Sequence, residues 1–140
     1  MSKSVPWLHH VNLQATDVQL SAAFFRDIVG LPPGPFVSGG AAHMRKTTAD
    51  PRFLACFGDD NRGLHIVRPS PTFTRDNNLL HNPTIGGHVA ITVPDIGAVM
   101  RRLDAAGIVY SDGGTYAMKG MHQIYVYDPA MNLIEINQEL

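Results

Sequence analysis

The sequence predicts an α+β fold in which two βαβββ modules form one curved mixed sheet around a central cavity. Three observations indicate this architecture. The first is a repeat: His10 and His88 are each followed by valine, and seven positions later by Asp17 and Asp95 respectively. The second is that each aspartate opens an amphipathic segment that ends at a glycine. The third is an apolar segment with one polar residue at its centre near the end of each copy. Self-similarity of this kind predicts a duplicated structural unit.

The predicted helices have recognisable ends. Asp17 and Asp95 are good N-cap residues, because a carboxylate accepts hydrogen bonds from the free N–H groups of a first helical turn. Gly30 and Gly107 follow 13 and 12 residues later, where a left-handed C-cap is expected. The flanking segments alternate apolar and polar residues, which is typical of half-buried strands.

The predicted chain organisation is a single domain covering residues 1–140. Module one takes in about 7–68, and module two about 85–140. Residues 69–84 form a polar, proline-bearing joint between them. This joint is long enough for the modules to pair within one chain or to exchange between two chains, and the sequence leaves both arrangements open.

The composition excludes several classes of function. The chain has 140 residues, 44% of them hydrophobic and 16% charged, with a net charge of −1. These values are typical of a globular protein and predict neither a nucleic-acid-binding nor an anionic-membrane-binding surface. The lone Cys56 excludes an intrachain disulfide, and no apolar stretch reaches the ~18 residues of a membrane span. We therefore expect a cytoplasmic protein without nucleic-acid or membrane partners.

Four polar side chains are predicted to point into the cavity. Successive side chains of a strand face opposite sides of a sheet. The apolar neighbours of His10, His65, His88 and Glu135 are expected to pack against the helices, so these four residues face the other way. Three imidazoles and one carboxylate suit Zn, Ni, Co, Mn or Fe(II) better than Ca or Mg. The cavity is thus expected to bind one divalent metal ion. For any one histidine alone, a hydrogen-bonded core position is the simpler interpretation.

Other candidates have more than one interpretation. By strand alternation (its parity), Tyr125 faces the cavity. It can serve there either as a hydroxyl donor to substrate or as an aromatic residue of the cavity wall. Tyr127 has the same parity. His122 is either an acid–base group or a loop residue, and His81 lies in the joint, where it could reach a partner chain. His9 has the wrong parity for the site.

Three segments carry a resemblance to a known superfamily. They are His10-Val11-Asn12-Leu13 before Asp17, Gly87-His88-Val89-Ala90 before Pro94-Asp95, and Tyr125 to Glu135 with its Asp128-Pro129 turn. This pattern resembles the vicinal oxygen chelate superfamily. That superfamily includes glyoxalase I, methylmalonyl-CoA epimerase, fosfomycin-resistance enzymes, bleomycin-binding proteins and extradiol dioxygenases.

The resemblance implies specific roles. Metal ligands would be His10, His88 and Glu135, with a fourth position at His65, where glyoxalase I and the epimerase carry Glu or Gln. Tyr125 is similar in spacing to a tyrosine near the metal of fosfomycin-resistance enzymes and extradiol dioxygenases. A glycine usual in the last turn is replaced here by Met131. A homodimer is implied as well.

Three functions are predicted in order of preference. The first is a metal-dependent isomerase or lyase of glyoxalase type, acting on a small-molecule substrate that chelates the metal through adjacent oxygens, with Glu135 and Tyr125 as catalytic residues. The second is an extradiol-type Fe(II) dioxygenase; Tyr125 favours it, while His65 as a fourth ligand would close a coordination position. The third is a protein that binds an antibiotic or metabolite without chemistry.

Overall fold

The computed structural model describes residues 5–38, 50 and 52–140, and everything said of the structure concerns these residues. In chain order the elements are β1 (Trp7–Gln14), α1 (Val18–Ala23), β2 (Leu54–Phe57), β3 (Gly63–Val67), α2 (Phe73–Asn77), β4 (His88–Thr92), α3 (Ile96–Ala105), β5 (Tyr110–Gly114), β6 (Met121–Tyr127) and β7 (Leu133–Glu139). The first helix continues into a π-helical segment, Phe24–Val29. Over these ranges, no helix combines the length and apolar character that crossing a membrane requires.

The seven strands form one mixed sheet in the order β2-β3-β1-β4-β7-β6-β5. Strand β1 runs parallel to β3 and antiparallel to β4, and β4 runs parallel to β7. The two modules therefore join at the β1–β4 pair within a single chain. The predicted α+β class and mixed sheet are confirmed.

The modules are not equally regular. The second module has the full βαβββ order, whereas the described part of the first has two strands after its helix, β2 and β3. Residues 39–49, which belong to the first module, lie outside the described residues. The joint contains a short helix, α2, which its polar and proline-bearing sequence did not indicate.

The helix ends agree with the predicted caps. Asp17 Oδ1 accepts a hydrogen bond from the Leu20 N–H at 3.0 Å, and Asp95 Oδ1 accepts one from the Ala98 N–H at 2.9 Å. Gly30 ends the first helical segment with a φ of 85°. These caps fix where each helix begins after the strand that precedes it.

Helices α1 and α3 each pack on the strands of their own module. Val18 of α1 is buried with Phe57 and Ile66, and Ile96 of α3 is buried with Ile124. The opposite face of the same strands is thereby left free to line a cavity. Coverage of the helix side is incomplete, since Leu13 is 39% exposed.

A bulge interrupts strand β1. The pairing of β1 with β4 changes register between Leu8 and His10, and both His9 and His10 are buried. A bulge places an extra residue in one strand, so that neighbouring side chains no longer alternate strictly. His9 is not among the residues that line the cavity, as its parity predicts, but it is buried and contacts His10 from the far side of the ring.

Candidate metal centre

Three potential metal ligands meet at the centre of the sheet. His10, His88 and Glu135 come from the neighbouring strands β1, β4 and β7. His10 Nε2 lies 3.4 Å from His88 Nε2 and 3.5 Å from Glu135 Oε2, and His88 Nε2 lies 3.3 Å from Glu135 Oε2. Within the described residues these three form the group of His, Cys, Asp and Glu side chains able to hold a metal ion.

The spacing of the three donors fits a transition-metal ion. Two ligand atoms that each lie about 2.1 Å from a common ion, at a tetrahedral angle, are about 3.4 Å apart. The three observed separations are 3.3–3.5 Å. Two imidazole nitrogens and one carboxylate oxygen also match the donor preference of Zn, Mn, Fe(II) and related ions. The residues present therefore suit a divalent metal.

The ring of His88 presents a lone pair to this group. Its Nδ1 lies 2.9 Å from the carbonyl oxygen of Pro83. A carbonyl can only accept a hydrogen bond, so Nδ1 carries the proton and Nε2 is left unprotonated in the neutral ring. Metal-binding histidines are commonly held in this way by a bond from the second ring nitrogen.

His10 is held by its neighbour His9. Their Nδ1 atoms lie 2.8 Å apart, and both residues are buried. Burial, with the nearby His10, lowers the pKa of His9 to about 4, so His9 is neutral at pH 7 and its Nδ1 can accept a hydrogen bond. With the Nδ1 proton of His10 donated to His9, Nε2 of His10 is free to bind metal.

Glu135 is oriented by two amide side chains. Gln123 Nε2 and Asn137 Nδ2 donate to Glu135 Oε1 at 3.0 and 2.8 Å. Asn137 is itself held by Thr92, whose hydroxyl donates to Asn137 Oδ1 at 2.7 Å. Oε2 is thereby turned toward the two histidines.

The charge state of Glu135 follows from these neighbours. Burial raises the pKa of Glu135, but the adjacent His10 and His88 outweigh burial and hold the pKa well below its usual range. The residue is 1% exposed. A buried carboxylate that stays ionised is suited to binding a cation.

His65 lies beside the group of three and not within it. Its ring stacks on that of His10 with centroids 4.0 Å apart, and its Nε2 donates to the carbonyl oxygen of Asn61 at 2.7 Å. Burial, followed by the proximity of His10, lowers its pKa well below the usual value. The predicted parity is correct, since His65 lines the same cavity, whereas its role as a fourth ligand stays a prediction.

Tyr125 is buried in the wall of the same cavity. Its hydroxyl forms a short hydrogen bond with the hydroxyl of Tyr116 and lies 3.4 Å from Gln123 Nε2. Burial, together with Tyr116 and Glu135, raises the pKa of Tyr125 well above its usual value. Tyr125 thus faces the cavity as predicted. Tyr127 does not, because it lies at the end of β6, is 42% exposed and contacts His81.

These residues surround a small cavity. Its wall is largely apolar and aromatic, with Phe36, Phe73, Tyr116, Met118 and Tyr125 among its members. None of the described residues that line it is a lysine or an arginine. Such a cavity suits a small, compact ligand.

The remaining polar candidates lie elsewhere. His122 Nε2 is 2.7 Å from Asp112 Oδ1 near the protein surface. His81 is buried against Ser111, with Nδ1 2.5 Å from the serine oxygen. Cys56 is buried, and burial raises the pKa of its thiol to about 11. None of the three is among the residues lining the cavity.

A comparison with protein families agrees with this geometry. The model of the Glyoxalase/Bleomycin resistance protein/Dioxygenase superfamily matches residues 7–136. The chain belongs to this superfamily. The resemblance to the vicinal oxygen chelate proteins is thus confirmed, and the buried His-His-Glu group is a candidate divalent-metal site within the superfamily fold. No curated protein matches the chain significantly.

Solved structures share the superfamily fold at low identity. Methylmalonyl-CoA epimerase from Mycobacterium tuberculosis is 15% identical with a TM-score of 0.61; the match covers 100% of this chain and 92% of the epimerase. The Mn(II)-bound glyoxalase from Novosphingobium aromaticivorans is 18% identical with a TM-score of 0.57, covering 95% of this chain and 38% of that one. A variant of homoprotocatechuate 2,3-dioxygenase from B. fuscum is 13% identical with a TM-score of 0.63, covering 99% and 33%. The chain therefore spans 38% and 33% of the length of these last two proteins.

Four residues of the site were missed from the sequence: His9, Asn12, Gln123 and Asn137. Gln123 and Asn137 have the same strand parity as Tyr125 and Glu135, so alternation could have placed them in the cavity. No sequence signal indicated the bulge that brings His9 to His10.

Proposed function

We propose that this chain is a divalent-metal-dependent enzyme of extradiol-dioxygenase type, acting on a small aromatic substrate through two adjacent oxygens. The observation that carries the proposal is that His10, His88 and Glu135 form one group of potential metal ligands. His65 stacks on His10 beside this group but does not belong to it. Two histidines and one carboxylate with open positions form the donor set of non-haem Fe(II) oxygenases. When bound there, such an ion supplies a positive centre for adjacent substrate oxygens.

His65 is the proposed proton acceptor. Its Nε2–H donates to Asn61 O, which leaves the lone pair of the neutral ring on Nδ1. The ring lines the cavity next to His10. A neutral imidazole in this position can take the proton from a substrate hydroxyl as that oxygen becomes anionic, which is ordinary general-base catalysis.

Glu135 is a poor choice for the base. Its Oε1 accepts two hydrogen bonds from Gln123 and Asn137. Its Oε2 lies 3.5 and 3.3 Å from the Nε2 atoms of His10 and His88, so both carboxylate oxygens are already engaged. Glu135 is therefore assigned to metal binding, and this departs from the catalytic role expected of it in an isomerase.

The cavity wall favours an aromatic substrate. Phe36, Phe73 and Tyr116 line the space near the histidines, and the described lining residues include neither lysine nor arginine. Aromatic rings pack well against other rings. A long polyanionic substrate would find no cationic side chain there among the described residues.

A glyoxalase-type isomerase or lyase is the second candidate, and it too is supported by His65. One neutral base beside a metal-bound substrate is sufficient to move a proton between neighbouring carbons. This candidate keeps the metal role of His10, His88 and Glu135 and differs in the substrate and in the need for oxygen.

The test is an assay of metal-loaded protein. Protein stripped of metal and reloaded separately with Fe(II), Mn(II), Co(II), Ni(II) or Zn(II) is supplied with catechol, and oxygen uptake and ring-cleaved product are measured. The hemithioacetal of methylglyoxal and glutathione is supplied in a parallel assay, in which turnover does not require oxygen. Catechol-dependent oxygen uptake with Fe(II) or Mn(II) supports the proposal. Turnover of the hemithioacetal alone would identify the protein as the second candidate, an isomerase or lyase. Binding of a compound without turnover would identify it as an antibiotic- or metabolite-binding protein.

The variant His65→Phe distinguishes the two possible roles of His65. If His65 is a base, its loss lowers turnover by about 100-fold or more and leaves metal affinity unchanged. If His65 is a fourth ligand, its loss weakens metal binding itself. Tyr127→Phe, at an exposed strand end, is the matched control and is expected to change neither quantity. Full turnover in His65→Phe contradicts the proposed base.

A further inference from the structure

One buried polar atom in the cavity wall has no partner. Asn12 is 3% exposed, and its Nδ2 has no hydrogen-bond partner. Across the described parts of the chain it is the only buried side-chain nitrogen or oxygen in this state. Leaving a buried donor unpaired costs about 1–3 kcal/mol. Native proteins rarely keep such a group unless it has a use.

The position of Asn12 suggests the use. It lies on β1 two residues after His10, on the same face of the strand. It is paired with His65 on the β3 side and with His88 on the β4 side. It lines the same cavity as these three histidines. A donor at this point borders both the metal ligands and the proposed base.

We propose that Asn12 Nδ2 donates a hydrogen bond to an oxygen atom of the bound substrate. The inference rests on the proposed function, because it requires a ligand in the cavity of His10 and His88. The substrate oxygen satisfies the donor that is unpaired in the ligand-free protein. Asn12 is thus a specificity-determining residue, which selects substrates carrying an acceptor beside the metal-binding group.

The chemistry of the wall narrows the substrate class further. Asn12 is a neutral donor, and the described lining residues include no cationic side chain. A neutral amide donor fits a carbonyl, hydroxyl or carboxylate oxygen. Phe36, Phe73 and Tyr116 line the rest of the space. The substrate that fits is a compact aromatic compound with neighbouring oxygens, one of which reaches Asn12.

Asn12→Leu tests the inference, because leucine has a similar size and no donor. The probe is benzohydroxamate, an aromatic chelator with adjacent oxygens, titrated into Co(II)-loaded protein by calorimetry. We expect benzohydroxamate to bind about tenfold more weakly to Asn12→Leu than to wild type, in line with one lost hydrogen bond. Co(II) affinity is expected to stay unchanged. Asn12→Asp, which keeps the shape but loses the donor, is expected to weaken the probe similarly and serves if the leucine variant does not fold.

The metal-free protein provides a second readout. Because Asn12→Leu removes an unpaired buried donor, we expect its melting temperature to equal or exceed that of wild type. Ser111→Ala is the control: Ser111 is buried outside the cavity, and its oxygen accepts from the N–H groups of Leu80 and His81. It should lower the melting temperature and leave probe binding unchanged.

The outcomes separate this inference from the proposed function. Weaker probe binding by the Asn12 variants, with no turnover of catechol by wild type, keeps the inference and removes the dioxygenase. Equal probe affinity in wild type and both Asn12 variants overturns the inference whatever the activity. Failure of wild type to bind benzohydroxamate overturns the inference too. A lower melting temperature of Asn12→Leu with unchanged probe affinity also overturns it, because that result marks Asn12 as a structural residue.

Discussion

Each histidine of the candidate metal site is fixed by the hydrogen bond on the far side of its ring. For His88 the acceptor is the Pro83 carbonyl, and for His10 it is a second histidine, His9. A histidine acceptor is less common than a carboxylate or carbonyl. The arrangement depends on the β1 bulge, which brings two consecutive side chains into the interior.

Replacing His9 tests this arrangement. His9→Phe keeps a ring in the buried position but removes the acceptor for His10 Nδ1, so we expect affinity for Zn²⁺ to fall about 10- to 100-fold. His9→Gln restores an oxygen acceptor and is expected to recover most of the affinity. Competition titration against a chelating dye measures both. Equal affinity of wild type and His9→Phe would show that His9 does not position His10.

At the residue scale, strand parity predicted well which side chains face the cavity. His10, His65, His88, Glu135 and Tyr125 all line it. Parity failed for Tyr127, which lies at an exposed strand end. The unpaired state of Asn12 Nδ2 depends on the packing of three strands and has no signature in a local pattern.

Among the elements, the β2–β3 hairpin determines where His65 lies. Gly63 begins β3 opposite His10 with a φ of +106°, and a Cβ there would lie 2.1 Å from the Phe57 carbonyl oxygen. The position therefore requires glycine both for its backbone angle and for its space.

Gly63→Ala is expected to lower the free energy of unfolding by about 3 kcal/mol, because left-handed strain and a backbone clash add together. Gly107→Ala is the matched control: its φ is +69°, and no neighbouring atom lies within 4 Å of the point where an alanine Cβ would stand. There we expect a loss of about 1 kcal/mol from backbone strain alone. Urea unfolding monitored by circular dichroism measures both. Equal losses in the two variants would mean that the hairpin relaxes around the added methyl group.

Helix boundaries were predictable because caps are local. Asp17 and Asp95 accept the expected backbone bonds, and Gly30 and Gly107 adopt positive φ. The joint helix α2 was not predictable, since its five residues show no apolar periodicity. It is placed by tertiary packing, with Phe73 buried against Leu79 and Tyr125.

For the molecule as a whole, the site depends on both modules. His10 comes from the first module, and His88 and Glu135 come from the second; they meet where β1 pairs with β4. The duplication was visible in the sequence, whereas pairing within one chain was left open and became clear only from the sheet order. Metal binding is therefore expected to couple the stability of the two modules.

The homodimer implied by the superfamily resemblance stays a prediction. Leu20, Phe24 and Ile28, spaced by four residues along the first helical segment, are 71%, 52% and 74% exposed. We expect light scattering to give a dimer mass for wild type and a monomer mass for Leu20→Glu combined with Ile28→Glu. A wild-type monomer at all concentrations would exclude the dimer, and a dimer of the double variant would place the contact elsewhere.

The central claim is that His10, His88 and Glu135 bind one divalent ion, and metal content tests it most directly. Wild type, His88→Ala and Glu135→Ala are stripped, reloaded with Zn²⁺, dialysed and measured by elemental analysis, with circular dichroism as the check on folding. We predict about one ion per chain for wild type and almost none for either folded variant. Equal metal content in all three proteins would contradict the account.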